Sequence, residues 1–294
     1  MSKTWTVFGL LNEASRYLSR KGVTTPRLDA EVLLAHALEC RRIDLYLRHD
    51  QPLDPSELDG FRELLRRRGR REPVAYLTGT KEFWSLPLRV TPQVLIPRPE
   101  TELLVEVALG SLGSRVGRPP RIVRVLEIGT GSGAVSIAMV REIGDGVHLV
   151  ATDVSGDALE VAKANARRFQ VEDRISFLQG DLFEALGPGI GLFSLIVSNP
   201  PYVPTDEIAG LPPEVRDYEP LCAMDGGRDG LGVIGRILEQ APEWLEEGGS
   251  LLLEVGDGQG PSVDARLSGG ASWRRWEWHR DLSGRQRVVR ATKG

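Results

Sequence analysis

The chain has 294 residues, 41% of them hydrophobic and 27% charged, with a formal net charge of −4. That length predicts two domains, or one with a sizeable appendage, and the mix excludes disordered and fibrous classes. Two cysteines, Cys40 and Cys222, exclude a disulfide framework and a four-cysteine zinc site; the four histidines, His36, His49, His148 and His279, are too scattered for a metal pair, so no metal is expected.

No stretch approaches the roughly 18 apolar residues that cross a bilayer. Lys3, Glu13, Arg16, Arg20 and Lys21 leave no long apolar core near the start, which predicts a cytoplasmic protein without a secretory signal and without a membrane partner. Residues 1–75 hold 14 Lys/Arg against 11 Asp/Glu, and the remainder 23 against 30. The acidic body argues against direct nucleic-acid binding, which needs clustered basic charge. The run from Arg66 to Arg71 reads either as a solvated helix end or as a contact for an acidic partner or RNA.

Residues 5–70 read as helices. Leu10, Leu11, Ala14, Tyr17 and Leu18 recur at helical spacing, as do Val32, Leu33, Leu34, Ala37 and Leu38 after Pro26. Ser56 to Arg68 gives a third helix with Ser56 as its expected N-cap. Val74 to Leu77 and Phe83 to Val90 look like short strands forming a hairpin. The segment from Ile96 to Glu102 opens a helix, with Pro99 in its first turn. The expected division is therefore a helical domain over 1–75, a β-hairpin linker over 76–97 and a main domain over 98–294.

From about residue 120 strands alternate with helices. Strands are expected over Ile122–Ile128, His148–Asp153, Ile175–Gln179, Leu192–Ser198, Ser250–Val255 and Val288–Ala291. Helices are expected over Ala134–Arg141, Gly156–Phe169 and Leu231–Leu245. This alternation predicts a doubly wound α/β sheet.

Glu127-Ile128-Gly129-Thr130-Gly131-Ser132-Gly133-Ala134 joins a strand to a helix through a glycine-rich turn. Gly129, Gly131 and Ala134 satisfy a dinucleotide pattern, while Glu127, Gly129, Gly131 and Gly133 satisfy the first motif of methyltransferases that use S-adenosylmethionine (SAM). The turn alone separates neither cofactor from the other. Asp153, closing the next strand, can accept from both ribose hydroxyls or cap the following helix. Asp181 can accept from an adenine amine with Leu182 on the ring, or can serve as a turn former.

The deciding segment is Asn199-Pro200-Pro201-Tyr202. Two prolines fix two φ angles and remove two backbone donors. The Asn199 side-chain oxygen and the Pro200 carbonyl can then accept both hydrogens of a planar NH2 group, and Tyr202 offers a flat face. That constellation suits methylation of an amide or exocyclic amine, and no NAD chemistry calls for it, so the two motifs together select SAM. Asn199, Pro200 and Tyr202 are the expected catalytic residues, with Pro201 beside them in substrate binding. The expected cofactor set is Glu127, Gly129, Thr130, Gly131, Ser132, Gly133, Asp153, Asp181, Leu182 and Asn199.

With those motifs in place the chain resembles the HemK-type release-factor glutamine methyltransferases over nearly its whole length. Further segments carry the resemblance: Thr25 to Leu34, Glu72 to Gly79, Glu82-Phe83-Trp84, Leu95 to Glu102, Tyr218-Glu219-Pro220 and Asp225 to Leu231. Gln286 departs from the pattern, standing where the family usually has an acidic residue. The resemblance implies a class I SAM-dependent methyltransferase fold, a Rossmann-like mixed sheet, with a small all-helical N-terminal domain that docks the substrate. It also implies methyl transfer to N5 of the glutamine in the Gly-Gly-Gln loop of class-one peptide chain release factors, leaving S-adenosylhomocysteine. The alternatives are an RNA exocyclic amine or a glutamine of a ribosomal protein. Trp273, Trp276 and Trp278 match nothing in the family and are expected to serve packing.

Overall fold

In the computed structural model, which describes residues 5–113 and 122–294, helices come first, and Lys3 lies outside the described residues. The Thr6 hydroxyl accepts from the Gly9 amide at 3.2 Å and starts α1 (Val7–Arg20). There follow α2 (Pro26–Ala37), α3 (Arg42–Leu47), α4 (Pro55–Gly69) and α5 (Val74–Thr78). Leu11, Leu18, Leu33, Leu34 and Phe61, placed on inward faces by the 3.6-residue period, bury together in one core.

Two local expectations are corrected. The cap of α4 is Asp54, not Ser56: Pro55 occupies the first helical position, and Glu57 reaches back to the Asp54 amide at 2.8 Å. Val74–Leu77 is helical, not a strand. The Pro73 carbonyl accepts from the amides of Tyr76 and Leu77, and Gly79 ends the turn at φ +69. Burial of Tyr76 and Leu77 outweighs the weak strand preference of Val74.

The second set of elements begins with the hairpin β1 (Thr80–Phe83) and β2 (Leu86–Arg89). Trp84 and Ser85 hold its two-residue turn with φ of 52 and 58, the left-handed pair such turns require. The Trp84 amide donates to Glu102 at 2.7 Å, and its indole N–H to Glu142 at 2.8 Å. A 3-10 turn over Pro99–Thr101 leads into α6 (Glu102–Leu112). Then come β3 (Val123–Ile128), α7 (Ala134–Ile143), β4 (Val147–Asp153), α8 (Gly156–Arg168), β5 (Ile175–Gln179) and β6 (Phe193–Ser198). The chain finishes with α9 (Pro213–Arg216), α10 (Gly232–Trp244), β7 (Leu245–Glu254), α11 (Gly260–Gly269), β8 (Trp273–Arg280) and β9 (Gln286–Lys293).

The chain up to Thr80, joined by Pro212–Tyr218, forms one compact unit; Lys81–Leu211 with Glu219–Gly294 forms a second. Within the first, Glu214 of α9 accepts from Arg71 at 2.7 and 2.6 Å and from Arg68 at 2.9 Å. Arg68 also donates to Asp29 at 2.7 Å, Arg67 to Glu72 at 2.8 Å, and Arg66 to Glu63. These ion pairs account for most of the basic run.

In the second unit a seven-stranded sheet runs β5-β4-β3-β6-β7-β9-β8. The first five strands are parallel, and β9 is antiparallel to both β7 and β8. Side chains alternate across it: Val123 and Val125 pack on the side of α6 and α7, Leu126 and Ile128 on the side of α10 and α11. Strand order reverses between β3 and β6, whose ends pair as Ile128 with Ser198. Ligands of open α/β sheets bind in the crevice at such a switch point.

The strand β8 and helix α11 were absent from the expected elements, and the tryptophans lie there. Trp273 is buried and its N–H reaches the Leu238 carbonyl at 3.2 Å. Trp276 and Trp278, two apart on one strand face, donate to the same Asp264 oxygen at 2.8 and 2.9 Å. They pack α11 against the sheet. Among the described residues no helix is long and apolar enough to cross a membrane.

Candidate active site

A cavity opens at the carboxyl ends of β3, β4 and β6. At the end of β3, Gly129, Gly131 and Gly133 take φ of 74, 54 and 81, and Gly133 leads directly into α7. A Cβ on Gly133 would stand 3.2 Å from that of Ala162 and 3.1 Å from Ile137, so this glycine lets α7 and α8 approach. A Cβ on Gly131 would meet nothing within 4 Å, and Gly131 lines the cavity, so the backbone itself forms the wall.

Glu127 is buried just before this turn. Its Oε2 accepts from the Thr130 hydroxyl at 2.7 Å and from Ser136. Burial pushes the carboxyl up to about 7 against the pull of the two hydroxyls. Thr130 thus serves the turn through a side-chain bond to Glu127. Ser132 is held from behind: Asn165, fully buried in α8, donates to the Ser132 carbonyl at 2.8 Å and exchanges two bonds with the backbone of Arg89.

The Asp153 carboxylate accepts from the Gly131 amide at 2.9 Å through Oδ2 and from the Ser155 amide at 2.9 Å through Oδ1. Burial raises its pKa, and those amides oppose the rise. It does not cap α8. Ser155 does, accepting from the Ala158 amide at 3.2 Å, because the Asx turn places Asp153 two residues ahead of the cap. Asp181 and Leu182 line the far end of the same cavity, where Asp181 is held by Arg236 at 2.7 Å. Leu182 is buried with φ 52.

Asn199, Pro200 and Pro201 line the wall facing the glycine turn. Asn199 Nδ2 donates to Thr101 Oγ1 at 3.0 Å. Glu254, the last residue of β7, is buried, and burial pushes its carboxyl up to about 7. Tyr202 is not among the lining residues. Its ring is half-buried against the core on the α10 side, its hydroxyl is 3.5 Å from Glu254, and burial pushes the phenol up to about 12. The structure thus brings the cofactor set except Gly133, which packs α7 against α8, to one cavity with Asn199 and the two prolines, and leaves the tyrosine one layer back.

Several lining residues carried no role in the sequence reading: Gln93, Val94, Leu95, Pro97, Arg98 and Thr101 ahead of α6, and Pro220, Cys222 and Ala223 beyond α9. Glu219, buried, ties the two stretches, accepting from the Ile96 amide at 3.0 Å and from Arg98 at 2.6 Å. The signal was present in the Ile96–Glu102 and Tyr218–Pro220 segments, but only as resemblance.

Comparison with known proteins agrees with this geometry. Residues 9–79 match the PrmC N-terminal domain and residues 112–209 the methyltransferase small domain. A release factor glutamine methyltransferase of Geobacter sulfurreducens is 44% identical over 259 residues, covering 88% of this chain and 87% of that one. One of Rhodopirellula baltica is 39% identical over 289 residues, covering 98% and 97%. The chain belongs to the release factor glutamine methyltransferase family. As expected of that family, it has the class I methyltransferase fold. A methyltransferase from Pyrococcus furiosus superposes with a TM-score of 0.51 at 19% identity, over 78% of this chain and 98% of that one. The N-terminal domain of human METTL16 in complex with SAH superposes with a TM-score of 0.51 at 16% identity, over 71% and 76%. In this release factor glutamine methyltransferase family member the cavity wall carries three carboxylates, Glu127, Asp153 and Asp181, against the single guanidinium of Arg98.

Proposed function

We propose that the protein transfers the methyl group of SAM to the side-chain amide nitrogen of the glutamine in the Gly-Gly-Gln loop of class-one peptide chain release factors. The observation that carries this reading is the pairing, across one cavity, of an acidic cofactor wall with the Asn199-Pro200 acceptor wall. A dinucleotide would bring its pyrophosphate to the glycine turn, where Glu127 and Asp153 stand and Arg98 is the lone lining cation. A ligand bearing an ammonium, a sulfonium and a ribose diol fits these carboxylates. Glu127 suits the cationic end, Asp153 the ribose, and Asp181 with Leu182 the adenine. Bound there, SAM supplies an electrophilic methyl group on a positively charged sulfur.

An amide nitrogen is a poor nucleophile, because its lone pair is delocalised into the carbonyl. Placing it in line with the methyl group is therefore the main task. Asn199 Oδ1 and the Pro200 carbonyl accept its two hydrogens and favour the positive charge that builds as the nitrogen turns tetrahedral. Pro200 and Pro201 have no N–H to compete for the substrate. Tyr202, neutral and set behind this wall, supports it rather than touching the cofactor. The surplus proton is acidic once the nitrogen is alkylated, and no strong base is assigned. The helical first unit would bind the body of the release factor, since no cofactor motif falls within it.

The test is incubation with methyl-labelled SAM and purified release factor, with total tRNA and rRNA in parallel. Label on the Gly-Gly-Gln peptide and none on RNA is expected. Label confined to RNA would overturn the proposal.

A further inference from the structure

We infer that Gln259 is a positioning residue for the transfer: it holds the loop 199–202 by a backbone carbonyl, against the loop 225–231, and so keeps the Pro200 carbonyl aimed at the substrate nitrogen. The inference rests on the reading of Asn199 and Pro200 given above. The need for such a tether lies in the loop's own sequence. Pro200 and Pro201 have no N–H, so two of the groups by which a backbone fixes itself are missing. The backbone there can be held through its carbonyls, and the Pro200 carbonyl is the one the substrate needs. The tether must therefore be a donor from outside the loop, and it must take another carbonyl.

Gln259, half-buried just ahead of α11, supplies that donor. Its Nε2 donates to the Tyr202 carbonyl at 2.9 Å and to the Gly230 carbonyl at 3.2 Å, and its Oε1 accepts from the Gly256 amide at 2.8 Å. Both ends of this carboxamide face backbone groups of fixed character, so its orientation is set: the two carbonyls can only accept and the amide N–H can only donate. One side chain thus joins the acceptor loop, the glycine-rich loop and the turn after β7. The glycine-rich loop fits against the same carbonyls. A Cβ on Gly230, at φ +72, would stand 2.3 Å from the Tyr202 oxygen, and one on Gly226 would stand 2.8 Å from the Pro201 oxygen. Backbone bonds lace the two loops as well: the Val203 amide donates to the Met224 carbonyl and the Gly226 amide to the Val203 carbonyl, at 2.9 Å each. Met224, Gly226 and Gly230 are buried, so the seam excludes water. Neither Gln259 nor residues 225–231 line the cavity, so they act on the reaction through the loop they hold.

The experiment compares Gln259→Glu, Gln259→Met, Gly230→Ala, Asp264→Ala and Asn199→Ala. Each full-length protein is assayed for kcat and KM on intact release factor, for S-adenosylhomocysteine affinity by calorimetry and for its melting temperature. Gln259→Glu keeps an acceptor for the Gly256 amide and loses both hydrogens; Gln259→Met keeps the length and loses both ends. Each is expected to lower kcat about 10- to 100-fold, as a misaligned reactant does. KM and cofactor affinity should move far less. Gly230→Ala crowds the same Tyr202 carbonyl from the other loop and should reproduce the loss, even if the Gln259 variants fold poorly. Asp264→Ala loosens α11 at Trp276 and Trp278 and leaves the acceptor loop alone, so it should melt lower and keep its kcat. A folded Gln259→Glu or Gly230→Ala at the wild-type kcat, beside a slow Asn199→Ala, would overturn the inference and leave the site reading intact. An Asp264→Ala protein as slow as Gln259→Glu would overturn it too, since the packing of α11 would then carry the effect. A fast Asn199→Ala would overturn the site reading instead.

Discussion

Replacing Asp153 by alanine separates the two things that this carboxylate does. In the free protein it accepts from the Gly131 and Ser155 amides at 2.9 Å each. Removing it leaves two part-buried donors without partners, worth about 1–3 kcal/mol each where water cannot replace the bond. Part of that returns as water enters the open cavity, so a net loss near 2 kcal/mol is expected. Spread over a chain of this size it lowers the melting temperature by roughly 3 °C. The ribose bonds are a separate quantity. Losing acceptors for both hydroxyls costs about 1.5–3 kcal/mol, or roughly 10- to 150-fold in SAM affinity. Calorimetric titration of SAM, run beside a thermal melt, reads both. Thr6→Ala serves as the control, since it removes the α1 cap and about 1 kcal/mol of stability at a site remote in sequence from the motifs. It should leave SAM affinity alone. A folded Asp153→Ala protein that melts lower but binds SAM as well as wild type would refute the ribose assignment, because the turn would then be the whole of its role.

Four further outcomes follow from the geometry. Asn199→Ala should lower single-turnover methylation about 10²–10³-fold, with SAM binding reduced much less; a rate above a tenth of wild type would remove the amide-positioning role. Glu127, held at about 7 by burial, should ionise as a cationic ligand binds, so SAM affinity should rise between pH 6 and 8 with proton release, and Glu127→Gln should flatten that rise. The same raised pKa means that Glu127 stabilises the ligand-free fold below about pH 4.5 and loses that contribution as pH rises through 7, so Glu127→Gln should melt higher than wild type at pH 8. Glu214 runs the other way: the Arg71 and Arg68 bonds outweigh its burial and hold it at about 2, so its contribution is full above about 4.5 and is lost as pH falls toward 2; Glu214→Gln should abolish that part of the acid sensitivity, and an unchanged acid melt would refute it.

The parts of the site that sequence made legible are those whose chemistry is local. The glycine turn is written in adjacent positions because three left-handed residues within five, at φ of 74, 54 and 81, strongly favour glycine. Asn199-Pro200-Pro201 is equally local, since proline removes its own donor wherever it stands. The five parallel strands are legible as short apolar, β-branched runs set between helices, as expected of strands buried on both faces. What sequence did not show is set by who lies opposite. Glu254 reads as one more acid at the end of a strand until the order β3-β6-β7 brings the end of β7 toward the loop after β6. Thr101 reads as part of a helix start until that loop delivers Asn199 to it. Glu214 looks like a solvent-facing acid in a turn, and becomes the partner of Arg68 and Arg71 only because its segment folds with the helical unit 140 residues earlier. Tyr202 shows the converse case. Adjacency to Asn199 suggested a shared wall, but the chain turns after Pro201 and points the ring toward Glu254. A local motif therefore names the acceptors, while the register of the sheet decides which groups hold them in place.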